Sequence, residues 1–159
     1  MLSKNRMLGT LARVALAFVC MSIGVDVACA GDVAIVTGKN SQFRAVKAAD
    51  LAKMIKTTHK LPDGYELTII LTDPSPEMRI VAQKLLSLTA DEFKQLIDTA
   101  NQTKVAFRMV SGDDATLKAL QSDPEAIGLV NVYSINSNVE VVKIDGKLPL
   151  EPGYILHSQ

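Results

Sequence analysis

Three places along the chain put a small or hydroxyl-bearing residue at or just beyond the end of an apolar run: Thr37-Gly38 after "DVAIV", Ser75 three residues past the end of "ELTIILT" and Ser111 after "VAFRMV". In open α/β sheets, ligands sit outside the carboxyl ends of strands, and exposed backbone N–H groups at helix starts favour anions there. If the three strand ends converge, they form one oxyanion site. Arg79 lies one turn into the helix that follows Ser75. Helical side chains lean back toward the N-terminus, so its guanidinium could help hold such an anion. The same residues serve equally well as plain helix caps, with Arg79 solvated or paired to a nearby carboxylate. Glu77 favours that second reading, because a carboxylate in the first turn already complements the helix dipole and would repel a bound anion. On sequence, capping alone and anion binding both stand.

Catalytic chemistry finds little support. His59 and His157 sit in polar turn and tail sequence, with neither a carboxylate nor a second histidine at ligand spacing, and are read as solvated surface histidines. "TGKNS" (37–41) lacks the upstream glycine and spacing of a phosphate-cradling loop, and no serine lies in a Gly-x-Ser-x-Gly elbow. Without a nucleophile, base or metal constellation, the expectation is a non-catalytic protein with no cofactor and no metal.

The elements that must position these residues follow from periodicity. "DVAIV" (32–36) reads as a strand ending at a Thr-Gly turn, and "AVKAADLAKMIKT" as a helix with Val46, Leu51, Met54 and Ile55 on one face. After the "KLPDGY" turn, the continuous apolar run of "ELTIILT" suits a strand covered on both faces. Ser75 as N-cap and Pro76 at the first helical position open the next helix, whose buried stripe is Met78, Val81, Ala82, Leu85 and Leu86. Thr89 and Glu92 form a capping box for a third helix, with Leu88 stapling to Phe93. "VAFRMV" (105–110) is a third strand, and a short fourth helix is expected to be capped by Ser111. Ile127-Gly128-Leu129-Val130 reads as a strand whose glycine marks a bulge or a close approach, "VEVVKIDG" as a further strand, and the proline-rich tail as lying extended over the surface. Strands alternating with helices predict an α/β domain with a mixed sheet.

Composition bounds the partners. Residues 1–30 read as an export signal: Lys4, Arg6 and Arg13 precede the apolar "VALAFVCMSIGV", and "ACA" at 28–30 has small-x-small cleavage spacing. The expected mature chain, 31–159, is a single domain in the periplasm or outside the cell. Both cysteines, Cys20 and Cys29, leave with the signal, so its stability must come from a packed core rather than disulfides. Beyond residue 30, acidic side chains outnumber basic ones by two, which is not the footprint of a nucleic-acid binder.

The order of pieces resembles the small, signal-bearing relatives of the phosphate-type periplasmic substrate-binding proteins of ABC transporters. The resemblance runs over "VAIVTGKNS", "KAADLAKMIKTTHKLPDGYELTIILTDPSPEMRIVAQKLL", "SDPEAIGLVNV" and "VEVVKIDGKLP…GYIL", covering roughly residues 32–156. It implies a reduced type II periplasmic-binding-protein-like fold, with mixed sheet and flanking helices, that binds phosphate or another small anion through Thr37, Gly38, Ser75, Arg79 and Ser111. It also implies that Gly128 lies where backbone passes close to backbone. The chain departs from the family at 73–77, where Pro76 and Glu77 replace a Ser-Gly-Thr helix start. That departure admits an alternative: an interaction module that keeps the fold, binds no ligand, and presents a surface to a membrane transporter or sensor.

Overall fold

Apolar continuity fixes the middle of the sheet. The computed structural model describes residues 32–72 and 75–157; the segment expected to be an export signal and both cysteines lie outside these. Strand β1 (Val33–Gly38) is buried at all six positions. Its alternate residues feed two cores: Val33 and Ile35 on one face, Ala34 and Val36 on the other. Strands β3 (Ile69–Thr72), β4 (Phe107–Val110), β5 (Ile127–Asn131) and β6 (Val139–Val141) complete a five-stranded sheet in the order β4-β3-β5-β1-β6. β3 runs parallel to β4 and to β5, whereas β1 runs antiparallel to both β5 and β6. The expected α/β class with a mixed sheet and flanking helices is what the chain adopts. A small parallel pair, β2 (Ala45–Val46) with β7 (Lys143–Ile144), stands apart from the main sheet. It is too short for periodicity to reveal.

Helices cover both faces. On the first lie α1 (Ala48–Lys53), which runs on into a wider π turn (Met54–Thr58), α2 (Pro76–Ile80), extended likewise through Val81–Leu85, and α3 (Ala90–Thr103). Their apolar stripes, including Leu51, Ile55, Val81, Leu86, Phe93 and Ile97, pack on Val33, Ile35, Ile69, Leu71, Phe107 and Leu129. The expected capping box at α3 is present, the Thr89 hydroxyl accepting from Glu92 N–H and the Glu92 carboxylate from Thr89 N–H. On the opposite face, α4 (Asp113–Ser122) alone packs Leu117 and Leu120 against Val36, Ile70 and Val130.

Two glycines explain how closely these layers approach. A Cβ on Gly128 would stand 2.7 Å from Thr116 Cγ2 and 2.9 Å from Leu120 Cδ1. The close approach at Gly128 is therefore real, but the partners are helix side chains rather than backbone. Backbone meets backbone at Gly38, where a Cβ would lie 2.4 Å from Pro124 Cα and 2.9 Å from the Leu120 carbonyl oxygen. Gly38 N–H also donates to the Pro124 carbonyl at 3.0 Å.

The tail departs from the surface-lying segment that its prolines suggest. Tyr154 and Leu156 are buried in the first core, and Val33 N–H donates to the Leu156 carbonyl at 3.2 Å. Neither histidine is simply solvated. His59, in a left-handed conformation at φ 46°, packs edge-on against Phe107, and burial, reinforced by the charge of Lys104, holds its pKa below the ordinary range. His157 Nδ1 lies 2.9 Å from Asp32 Oδ2 and its Nε2 lies 2.9 Å from the Glu151 carbonyl. Both ring nitrogens thus face acceptors, and only the imidazolium can donate to both. The Glu151 carbonyl foremost, then Asp32, raises the His157 pKa. Because the folded value is raised, the stabilisation is fully present below the ordinary value of about 6.5 and is lost as pH rises through the folded value. A thermal melt series from pH 5.5 to 8.5 should therefore show a small loss of stability on that limb. His157→Gln should flatten it, and an unchanged slope in that variant would remove the tail ion pair from the explanation.

Candidate functional site

Strand direction sorts the expected site residues into two groups. The parallel strands β3, β4 and β5 end at Thr72, Val110 and Asn131, so Ser75 and Ser111 follow neighbouring carboxyl ends on one edge of the sheet. Thr37 and Gly38 are not there. Thr37 pairs with Ile127, which also pairs with Ile69, so the Thr37-Gly38 turn lies beside the amino ends of β3 and β5. The two edges are separated by the length of β3, roughly 10 Å. The cause is the antiparallel run of β1, which turns its carboxyl end away. Thr37 is fully buried and Gly38 is committed to packing on Pro124.

At the shared edge the residues differ in what they do. The Ser75 hydroxyl accepts from Met78 N–H at 3.1 Å, with Pro76 at the first helical position, as capping requires. Arg79 is exposed and, among the described residues, has no carboxylate within ion-pair distance. Ser111 does not cap α4. That position belongs to Gly112, at φ 89°, where a glycine adopts the turn without steric cost and offers no side-chain hydrogen bond. Ser111 remains an exposed hydroxyl one residue past β4.

Carboxylates also reach this edge. Glu77 is only 8% exposed, and its Oε1 lies 3.5 Å from Asn131 Nδ2. Asp113 Oδ2 accepts from Asn131 N–H at 3.0 Å. Asn131 therefore gathers two acidic side chains at the end of β5. Asn131 and Asp113 carry no motif, and only the fold brings them together.

Beside Arg79 opens a cavity of about 550 Å3 between α2 and α3. Ser75, Arg79, Lys94, Asp91 and Asp98 contribute polar groups, and Met78, Ala82, Phe93, Ile97 and Met109 an apolar floor. Parity along β4 explains Met109: Phe107 and Met109 face the α2–α3 layer, but Met109 lies beyond the cover of α3 and is 41% exposed. Ser111 does not line this cavity. An exposed methionine on an edge strand and a lysine between two aspartates are the only sequence signals for the groove, and both are weak. Among the described residues no group of three or more His, Cys, Asp or Glu side chains could hold a metal ion.

No family model and no curated protein matches the chain. Solved structures do match its fold. An ABC-type phosphate transport receptor from Vibrio cholerae aligns with TM-score 0.60 at 12% identity, over 79% of this chain and 53% of its own length. PstS from Borrelia burgdorferi aligns with TM-score 0.56 at 14% identity, over 74% and 49%. A protein assigned as a phosphate ABC transporter substrate-binding protein from Clostridium perfringens, with phosphate bound, aligns with TM-score 0.57 at 16% identity, over 72% and 45%. The chain spans about half the length of each of these structures, and the likeness is one of fold.

Proposed function

We propose that this chain is a non-catalytic, extracytoplasmic solute-binding module that holds a small oxyanion such as phosphate for a membrane transporter of the ABC type. Residues 1–30 are its export signal and 31–159 its one domain. The observation that carries the reading is Arg79: an exposed guanidinium with no carboxylate partner among the described residues, beside Ser75 at the carboxyl edge of β3. The fold is one that phosphate receptors share. Ser111, at the end of the adjacent strand, offers a further hydroxyl, whereas Thr37 and Gly38 take no part.

Glu77 provides a sharp test, because its charge opposes an anion at this edge while its shape supports Asn131. Glu77→Gln keeps the volume and the acceptor oxygen and removes the charge. Equilibrium dialysis with labelled phosphate should show binding tighter by roughly three- to tenfold, the size of one like charge at short range in a partly screened site. Unchanged or weaker binding would place any anion elsewhere.

A second reading, the ligand-free interaction module, is favoured by the exposed aromatic and aliphatic residues at the amino edge. Tyr65 is 69% and Val105 72% exposed, next in sequence to the Glu66–Lys104 ion pair. Phosphate-independent capture of a purified transporter membrane subunit, abolished by Tyr65→Ser with Val105→Ser, would support it.

A further inference from the structure

The groove beside Arg79 is built for more than a bare oxyanion. A cavity of about 550 Å3 falls in the range that encloses small organic ligands, whereas a phosphate or sulfate ion at Arg79 would leave the exposed Met109 of the groove floor in contact with water. That floor is hydrocarbon and thioether: Met78, Phe93, Ile97 and Met109. Keeping Met109 partly exposed there costs apolar surface that a ligand's apolar body would cover. The charges along the rim are distributed unequally between the helices. Lys94 sits three residues after Asp91 and four before Asp98 on α3, at spacings that let oppositely charged side chains offset one another. Lys94 can offset only one of the two aspartates, so α3 keeps one excess negative charge and Arg79, across the groove on α2, carries the balancing positive one; an acidic head is therefore drawn to the α2 side.

We infer that the groove between α2 and α3 binds an amphipathic organic anion, a carboxylate or phosphate monoester whose acidic head meets Arg79 and Ser75 while its hydrocarbon body lies over Phe93, Ile97 and Met109. The inference rests on the solute-binding reading and names the class of solute. Lys94 then acts as a specificity residue at the rim, tolerating a second polar group on the ligand without requiring it.

The test is calorimetric titration of the 31–159 chain with four monomeric probes: acetate, octanoate, inorganic phosphate and octyl phosphate. Octanoate should bind at least tenfold more tightly than acetate, and octyl phosphate at least tenfold more tightly than inorganic phosphate. Carboxylate and phosphate heads are distinguished by comparing the two octyl ligands. Arg79→Gln should weaken both octyl ligands. Ala90→Trp, at the exposed first residue of α3 on the groove wall, should abolish the gain from the chain while leaving inorganic phosphate unchanged. Arg79-dependent binding of inorganic phosphate with no gain from an octyl chain would overturn the inference and leave the oxyanion reading standing. Failure of all four probes to bind would overturn both.

Discussion

Gly38→Ala is expected to lower the unfolding midpoint by roughly 10 °C, the largest stability effect of any single methyl group added to this fold. The added Cβ would lie 2.4 Å from Pro124 Cα, 2.7 Å from Pro124 Cβ and 2.9 Å from the Leu120 carbonyl oxygen. None of these atoms can swing away. Pro124 has a fixed ring, and both backbone segments are held, one by the Gly38–Pro124 hydrogen bond at 3.0 Å and the other by the end of α4. The relief available is to prise the α4–β5 connection from the sheet, which gives a cost at or above the upper end of the usual overpacking range, about 3 kcal/mol. Gly128→Ala is the internal comparison. Its closest contacts are the ends of the Thr116 and Leu120 side chains, and Leu120 can change rotamer, so the loss should be about half as large. Chemical denaturation of the two variants measures the difference. Equal effects, or a milder effect at Gly38, would contradict the account of how α4 is seated.

That comparison also marks how far the sequence could be read. The positions of the main helices and strands were legible because apolar spacing changes period where the elements change, and local chemistry marks helix starts: Ser75-Pro76 and the Thr89–Glu92 box stand where the residues alone would put them. Strand direction was not legible. The apolar pattern of "VAIV" is the same in either direction, so nothing local reveals that β1 opposes β5 and carries Thr37-Gly38 to the far edge. The same limit explains Gly38, whose partner Pro124 is remote in the chain, and His157, whose carboxylate Asp32 lies near the other end of the domain. Ser111 failed as a cap for a local reason: the neighbouring glycine can take the positive φ the turn needs, and it displaces the hydroxyl by one residue. Of the candidate site, Ser75 and Arg79 emerged from the sequence. The cavity floor did not, because Phe93, Ile97 and Met109 look like ordinary core until the shortness of β4 and the placing of α3 leave Met109 uncovered.

The functional account depends most on Arg79. If its guanidinium grips the anion, each hydrogen bond to that charged partner contributes about 1.5–3 kcal/mol, so removing it should weaken binding roughly tenfold to a hundredfold. Because Arg79 is exposed and makes no ion pair among the described residues, its loss should leave stability within about 0.5 kcal/mol of the parent. Affinity and stability therefore separate in a single variant. The decisive measurement is isothermal calorimetry of residues 31–159 with inorganic phosphate, beside an Arg79→Ala variant of matched melting temperature. The account predicts saturable one-site binding in the parent that falls at least tenfold in the variant. Binding that survives intact in Arg79→Ala, or no binding in the parent at millimolar phosphate, would contradict it.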